Sequence, residues 1–156
     1  MQTSEEMEID FPAKSAILHS TRSKMTLHQL AAASDLTQIE AIENGLPPST
    51  IHDLTGGMQI SRKSLISSLG LAERTMALRA RGKKRLSAME SERFLRVARA
   101  LRLANEVFPK TKDASGWLKT PDISLGNRIP LAMLATDVGA RKVENLLLGM
   151  IHGLPV

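Results

Sequence analysis

The side chains of this chain best suited to chemistry are basic. Arg74, Thr75, Arg79 and Arg81 stand close together, and Lys83, Lys84 and Arg85 follow at once. Arginine can donate to both O6 and N7 of guanine, and threonine can reach a base edge or its methyl group. A short lysine–arginine run suits phosphate oxygens, which hold a protein in register without reading sequence. The chemistry on offer is recognition of a polyanion, with no bond made or broken. Catalytic patterns are missing. The four histidines, His19, His28, His52 and His152, are far apart, and no His-Glu-x-x-His occurs. Neither glycine-rich phosphate-cradling pattern is present, and the absence of cysteine excludes disulfides, thiolate zinc sites and cysteine nucleophiles. No enzyme activity, metal or cofactor is expected.

Charge is unevenly spread along the 156 residues. Residues 1–60 carry 3 basic and 8 acidic side chains, residues 61–110 carry 13 and 4, and residues 111–156 carry 5 and 4. A basic centre between less basic flanks points to a polyanionic partner, and charge alone leaves a merely solvated basic face equally open. With three Phe, one Trp and no Tyr, the chain lacks the aromatic platforms on which single-stranded nucleic acids stack. No run approaches the roughly 20 apolar residues that span a bilayer. Glu5, Glu6, Glu8 and Asp10 replace the basic start of a secretory signal. A cytoplasmic protein with no membrane partner is expected.

The elements that must position these residues read as helices throughout. Residues 1–20 show weak periodicity and are expected to be poorly ordered. Leu27, Leu30 and Ala31 share a helical face. Thr37-x-x-Glu40 has the form of a capping box, with Leu36, Ile39 and Ile42 in apolar spacing and Gly45 as a stop. Ser49 is the expected cap of a short helix ending at Gly56-Gly57. Ser61 is the expected cap of a helix through Leu65, Ile66 and Leu69, broken by Gly70. A second helix then spans about 72–81 and stops at Gly82. Two short helices joined by a tight glycine turn describe a helix-turn-helix, with Leu65, Leu69, Leu71 and Met76 between the helices. A plain helical hairpin would share that pattern.

Ser87-x-x-Glu90 opens a long helix reaching Phe108, with Phe94, Val97, Ala98, Leu101, Ala104 and Phe108 on its apolar face. Arg93, Arg96, Arg99 and Arg102 form a second stripe, read as mainly structural, with Arg93 paired to Glu90 or Glu92 and Arg102 to Glu106. Beyond Pro109 a helix carries Trp117, Thr120-Pro121-Asp122 marks a turn, and Pro130 starts the next helix. Thr136-Asp137 caps a last helix whose face is Val143, Leu146, Leu147, Met150 and Ile151. That face packs within the chain or on a second copy. The apolar tail Leu154-Pro155-Val156 could enter a partner's pocket; on physical grounds alone a frayed end is the simpler reading.

Two stretches carry a resemblance. The first is Leu69-Gly70-Leu71-Ala72-Glu73-Arg74-Thr75-Met76, with Gly82, Leu86-Ser87, Glu90-Ser91-Glu92-Arg93, Ala98 and Asn105-Glu106-Val107-Phe108. The second is Ala114-x-x-Trp117-Leu118, Pro121, Leu125-Gly126, Arg128-x-Pro130-Leu131, Leu134, Thr136, Gly139-Ala140-Arg141, Val143, Leu147 and His152-Gly153. Over residues 46–156 the chain resembles the Xre-type antitoxins of RES–Xre toxin–antitoxin pairs, the MbcA/ParS/Xre family. Leu78-Arg79-Ala80-Arg81 departs from the paired arginines usual there, Asn127 from a common Gly and Val138 from a common Glu.

The resemblance implies a helix-turn-helix that binds and represses the promoter of its own operon. It also implies a C-terminal domain that binds a RES-domain toxin, an NAD-consuming enzyme, and a chain end that blocks the toxin's active-site cleft. Toxin binding is then expected of Trp117, Arg141, Val143, His152, Gly153, Leu154, Pro155 and Val156. A homodimer is implied through Leu131, Leu134, Leu146, Leu147 and Met150. Any NAD belongs to the toxin, and this chain carries no cofactor. The expected organisation is all-α: an N-terminal extension (1–45), a helix-turn-helix domain (46–110) and a toxin-binding and dimerisation domain (111–156). The rival reading is a stand-alone helix-turn-helix regulator whose C-terminal domain only dimerises.

Overall fold

The computed structural model describes residues 25–154, and the regular elements within that span are helical. Five helices come first: α1 (Leu27–Ala31), α2 (Asp35–Glu43), α3 (Ser49–Met58), α4 (Arg62–Ser68) and α5 (Glu73–Arg81). The 20-residue α6 (Ala88–Val107) follows. Then come α7 (Thr111–Lys119), a single 3-10 turn (Ile123–Leu125), α8 (Pro130–Met133) and α9 (Asp137–Ile151). Residues 1–20, expected to be poorly ordered, lie outside the described residues.

α6 is the axis of the molecule. Its start is the capping box expected from the sequence: Glu90 N–H donates to Ser87 Oγ at 3.2 Å and Ser87 N–H to Glu90 Oε2 at 2.7 Å. Phe94, Leu95, Val97, Ala100 and Ala104 are wholly buried on it. Apolar positions all round the helix mark it as enclosed rather than lying on a surface. α1, α2, α3, α7 and α9 all pack on it, and one continuous core runs from Leu30 to Leu147. Each fully covered Leu or Phe contributes about 1.5–3 kcal/mol of transfer free energy. The C-terminal helices α7 and α9 therefore pack on α6 directly, and the α4–α5 pair joins the same core through α3.

Several local expectations need correction. α2 is capped by Ser34, whose Oγ accepts from Thr37 N–H; Thr37 lies inside the helix and opens no capping box. Such a box does occur at α1, between Thr26 and Gln29. On α2 the buried side chain is Gln38, while Leu36 and Ile39 are exposed. Gln38 is held there by bonds to Ala33 O at 2.9 Å and from Arg99 at 3.2 Å. Ser49 makes no cap bond, and α3 runs through Gly56-Gly57 because Met58 beyond them is fully buried. Gln59, at φ 50°, ends the helix instead. Gly45 does stop α2's exit turn at φ +74°, where an added Cβ would sit 2.2 Å from Leu86 O.

The arginine stripe of α6 is structural throughout. Arg93 donates to the carbonyls of Leu69 (2.9 Å) and Gly70 (3.2 Å), not to Glu90 or Glu92. Arg96 pairs with Glu92 at 2.6 Å, Arg99 with Glu144 at 3.0 Å, and Arg102 with Glu106. Arg99 thereby ties α2, α6 and α9 together.

Candidate functional site

The basic cluster sits on a helix-turn-helix formed by α4 and α5. Ser61 caps α4 through Ser64 N–H, and Gly70 turns the chain at φ +62°, a left-handed conformation that favours glycine. Leu71 N–H closes the turn on Ile66 O at 3.1 Å. Leu65, Ile66, Leu69 and Met76 are fully buried between the helices. Arg62 donates across to Met76 O at 2.9 Å, and Arg93 holds the turn from behind. The second helix of the motif is thus fixed at its first turn, its middle and its entry loop.

The structure divides the seven predicted basic-face residues in two. Arg74, Thr75, Arg81, Lys83 and Lys84 are exposed, while Arg79 is half-buried and Arg85, exposed as well, is tied down by a hydrogen bond. Among the described residues, Arg74, Arg81, Lys83 and Lys84 make no ion pair. Arg79 instead places its Nε 2.8 Å from Glu90 Oε2, close but not aligned as a hydrogen bond, and donates through Nη1 to Arg85 O at 3.0 Å. Arg85 in turn donates to Gly45 O at 2.6 Å. These two arginines brace α5 and the following turn against α6 and the α2–α3 loop. Arg79 occupies a place where an apolar residue would serve, and Glu90 supplies its compensation. Sequence reasoning missed Leu78, which is 57% exposed. Its spacing from Arg74 (i+4) and Arg81 (i−3) puts all three on one face of α5.

The C-terminal helices form a second surface. α8 begins with Pro130, and Thr136 Oγ1 caps α9 by accepting from Gly139 N–H at 3.1 Å. Gly139 must be glycine: a Cβ there would meet Met133 O at 2.1 Å. Trp117 is half-buried; its Nε1 donates to Asp122 Oδ2 at 2.8 Å, and its ring lies 6.0 Å from Phe108. Asp122 also caps the 3-10 turn through Ser124 N–H at 2.7 Å. Trp117 therefore anchors the Thr120–Arg128 turn.

The predicted contact residues separate by burial. Val143 is fully buried, so its side chain offers nothing to a partner. Leu131, Leu134 and Leu147 are equally enclosed, Leu146 nearly so and Met150 partly, all within the protomer's own core. The apolar face of α9 is covered by α6 and α8, so those leucines present no dimer surface in this arrangement. Arg141, paired with Asp137 one turn earlier, is exposed, as are His152, Gly153 and Leu154. Pro155 and Val156 lie outside the described residues. A second stripe on α9 escaped sequence reasoning: Val138, Arg141, Asn145, Leu148 and His152, spaced 3-4-3-4 and all exposed. Val138 is 70% exposed and Leu148 39%. Its spacing is legible in the sequence, but the inward stripe is the more apolar of the two.

α9 ends in a Schellman turn. Gly153 adopts φ +65°, Gly153 N–H bonds Met150 O at 3.4 Å, and Leu154 N–H bonds Gly149 O at 2.9 Å. This turn fixes the direction in which the chain leaves the helix, and Leu154 projects 60% exposed.

Two family models match these two surfaces. Residues 37–99 match the antitoxin Xre-like helix-turn-helix domain, and residues 103–153 match the antitoxin Xre/MbcA/ParS C-terminal toxin-binding domain. A protein of Photorhabdus laumondii subsp. laumondii named Antitoxin Xre is 31% identical over 114 residues, covering 72% of this chain and 77% of its own. The chain belongs to the Xre antitoxin family. A Yersinia enterocolitica protein of the same name is 28% identical over 126 residues, covering 80% of this chain and 85% of its own. One from Pseudomonas putida is 32% identical over 80 residues, covering 51% and 50%. This Xre-family chain is thus a toxin–antitoxin component with a DNA-binding helix-turn-helix and a toxin-binding domain, rather than an enzyme. Its two matched spans meet inside α6, the helix both surfaces share. Among the described residues no helix is long and apolar enough to cross a membrane.

Proposed function

We propose that this antitoxin neutralises a RES-domain, NAD-consuming toxin by laying its C-terminal residues into the toxin's active-site cleft. The observation that carries this reading is the continuity of the outer stripe of α9 with the Schellman turn. Val138, Arg141, Asn145, Leu148 and His152 run along one exposed face, and the chain is then redirected at Gly153 with Leu154 projecting. The stripe docks the toxin and His152–Val156 occlude it by bulk. Trp117 and Val143 act indirectly, by holding the turn and the helix in place.

The same chain represses its own operon. Arg74, Thr75, Leu78 and Arg81 enter the major groove, where an apolar side chain can meet a thymine methyl. Lys83 and Lys84 hold phosphates, and Arg79 and Arg85 keep the reading helix in position. A homodimer with half-sites about 34–36 Å apart suits a palindromic operator. Its contact falls to exposed residues such as Ile123 and Ile129, since the α9 leucines are already enclosed. The deciding experiment removes residues 152–156 and co-expresses the shortened chain with its toxin. Loss of growth rescue with operator binding intact supports occlusion. Full rescue refutes it.

A further inference from the structure

Residues 1–13 contain Glu5, Glu6, Glu8 and Asp10 and no lysine or arginine. The described fold begins at Met25, and Met25, Thr26 and Leu27 line a groove of about 1090 Å³ whose lining also includes Arg85. Arg85 closes the Lys83-Lys84-Arg85 turn that follows α5. Residues 1–24 therefore join the fold at a groove that Arg85, the neighbour of Lys84 in the basic turn, also lines. Four cations there, Arg74, Arg81, Lys83 and Lys84, are exposed and have no ion-pair partner among the described residues. Of the acids nearby, Glu90 is already taken by Arg79, and Glu73 at the start of α5 makes no ion pair among the described residues.

We propose that the stretch Glu5–Asp10 folds back on Arg74, Arg81, Lys83 and Lys84 of its own chain and competes with DNA phosphates for them. Four carboxylates meet a cluster of exposed cations, so the signs agree. The reach is ample: the step from Asp10 back to Met25 spans up to about 50 Å when extended, while a domain of this size has a radius of gyration of about 14 Å. A tether of this length presents the acidic stretch at a millimolar effective concentration. Such a contact is weak enough for an operator to displace, and it discriminates against loosely held, non-specific DNA. It is screened by salt in the same way as the phosphates it imitates. The inference rests on the DNA-binding role of α5.

Two measurements on the full chain test it. Zero-length carbodiimide crosslinking, on an equal mixture of unlabelled and 15N-labelled chains, is read by mass spectrometry. Intrachain amide links from Glu5, Glu6, Glu8 or Asp10 to Lys83 or Lys84 are expected to exceed links to the exposed Lys110, Lys112 and Lys142. Even spread over all lysines, links confined to Lys14, or only interchain links overturn the proposal. In parallel, non-specific duplex binding is measured for the variant Glu5→Gln, Glu6→Gln, Glu8→Gln, Asp10→Asn. The comparison variant Glu40→Gln, Glu43→Gln, Asp53→Asn, Asp113→Asn changes net charge equally. The first variant is expected to bind about three- to tenfold tighter at low salt, from competition by a millimolar tethered ligand, with the gain fading at high salt. Equal gains in both variants reduce the effect to net charge and overturn the contact. A chain that binds no duplex in any form refutes the DNA-binding role itself, and the crosslinks then decide the contact alone.

Discussion

Arg79 separates a structural role for α5's arginines from a DNA-contacting one. Its guanidinium lies 2.8 Å from Glu90, whose side chain is 8% exposed against 28% for Arg79. Replacing Arg79 by alanine leaves a nearly buried carboxylate with only the Ser87 N–H, at 2.7 Å. Breaking a fully buried pair costs about 3–5 kcal/mol, while an exposed pair is worth at most about 1 kcal/mol. The part-open geometry here and the surviving cap bond place Arg79→Ala between these limits, at about 1–2 kcal/mol. For a chain of this size that lowers Tm by roughly 3–8 °C. Arg81→Ala, by contrast, is expected to leave stability within about 0.5 kcal/mol and to reduce the salt slope of DNA binding by about one. Urea unfolding and salt-dependent DNA titration of both variants provide the check. A double-mutant cycle with Glu90→Gln should return a coupling of roughly 1 kcal/mol. If Arg79→Ala unfolds at the same urea concentration as the parent yet loses a salt-dependent contact, the bracing role is wrong and Arg79 belongs with the phosphate contacts.

Other substitutions probe the remaining surfaces. Gly139→Ala forces a Cβ against Met133 O at 2.1 Å and should cost about 3 kcal/mol or more by overpacking, read as a lower thermal midpoint with loss of toxin binding. Leu148→Lys should leave the unfolding midpoint unchanged and weaken toxin binding at least tenfold by calorimetry; unchanged affinity would remove the outer stripe of α9 from the interface. Arg93→Ala frees the carbonyls of Leu69 and Gly70 and should cost about 1 kcal/mol, with faster hydrogen exchange confined to α4, its turn and α5. Exchange that rises equally in α9 would count against that local role.

Much of this fold was legible because its signals are local. Ser61, Ser87 and Thr136 lie within three residues of the N–H groups they cap, and Gly70 and Gly82 sit where two helices end. Where the structure departs from the local signals, contacts from distant parts of the chain decide. Ser34 and Thr37 both offer a cap for α2; Ser34 takes it, and the helix then carries Gln38 to Arg99 of α6. α3 ignores its two glycines because burial of Met58 outweighs their cost of about 1 kcal/mol each. The apolar stripe of α9 is legible in the sequence, but amphipathicity says only that a face is covered, not what covers it.

The sequence by itself determined the helical class, the helix-turn-helix, the concentration of basic charge around α5 and the two stretches that place the chain in its family. Those properties depend on residue type and on spacings of three or four, the reach of a helical turn. Only the tertiary structure decided which charges are free to meet a partner. Arg99 finds Glu144 across 45 residues and Arg85 finds Gly45 across 40, while Arg74 and Arg81 stay exposed. It likewise turned the leucines of α9 inward and left Val138 and Leu148 outside. The physical reason is that an ion pair or a covered methyl group is a property of what arrives opposite it, and that is set by how the helices pack around α6.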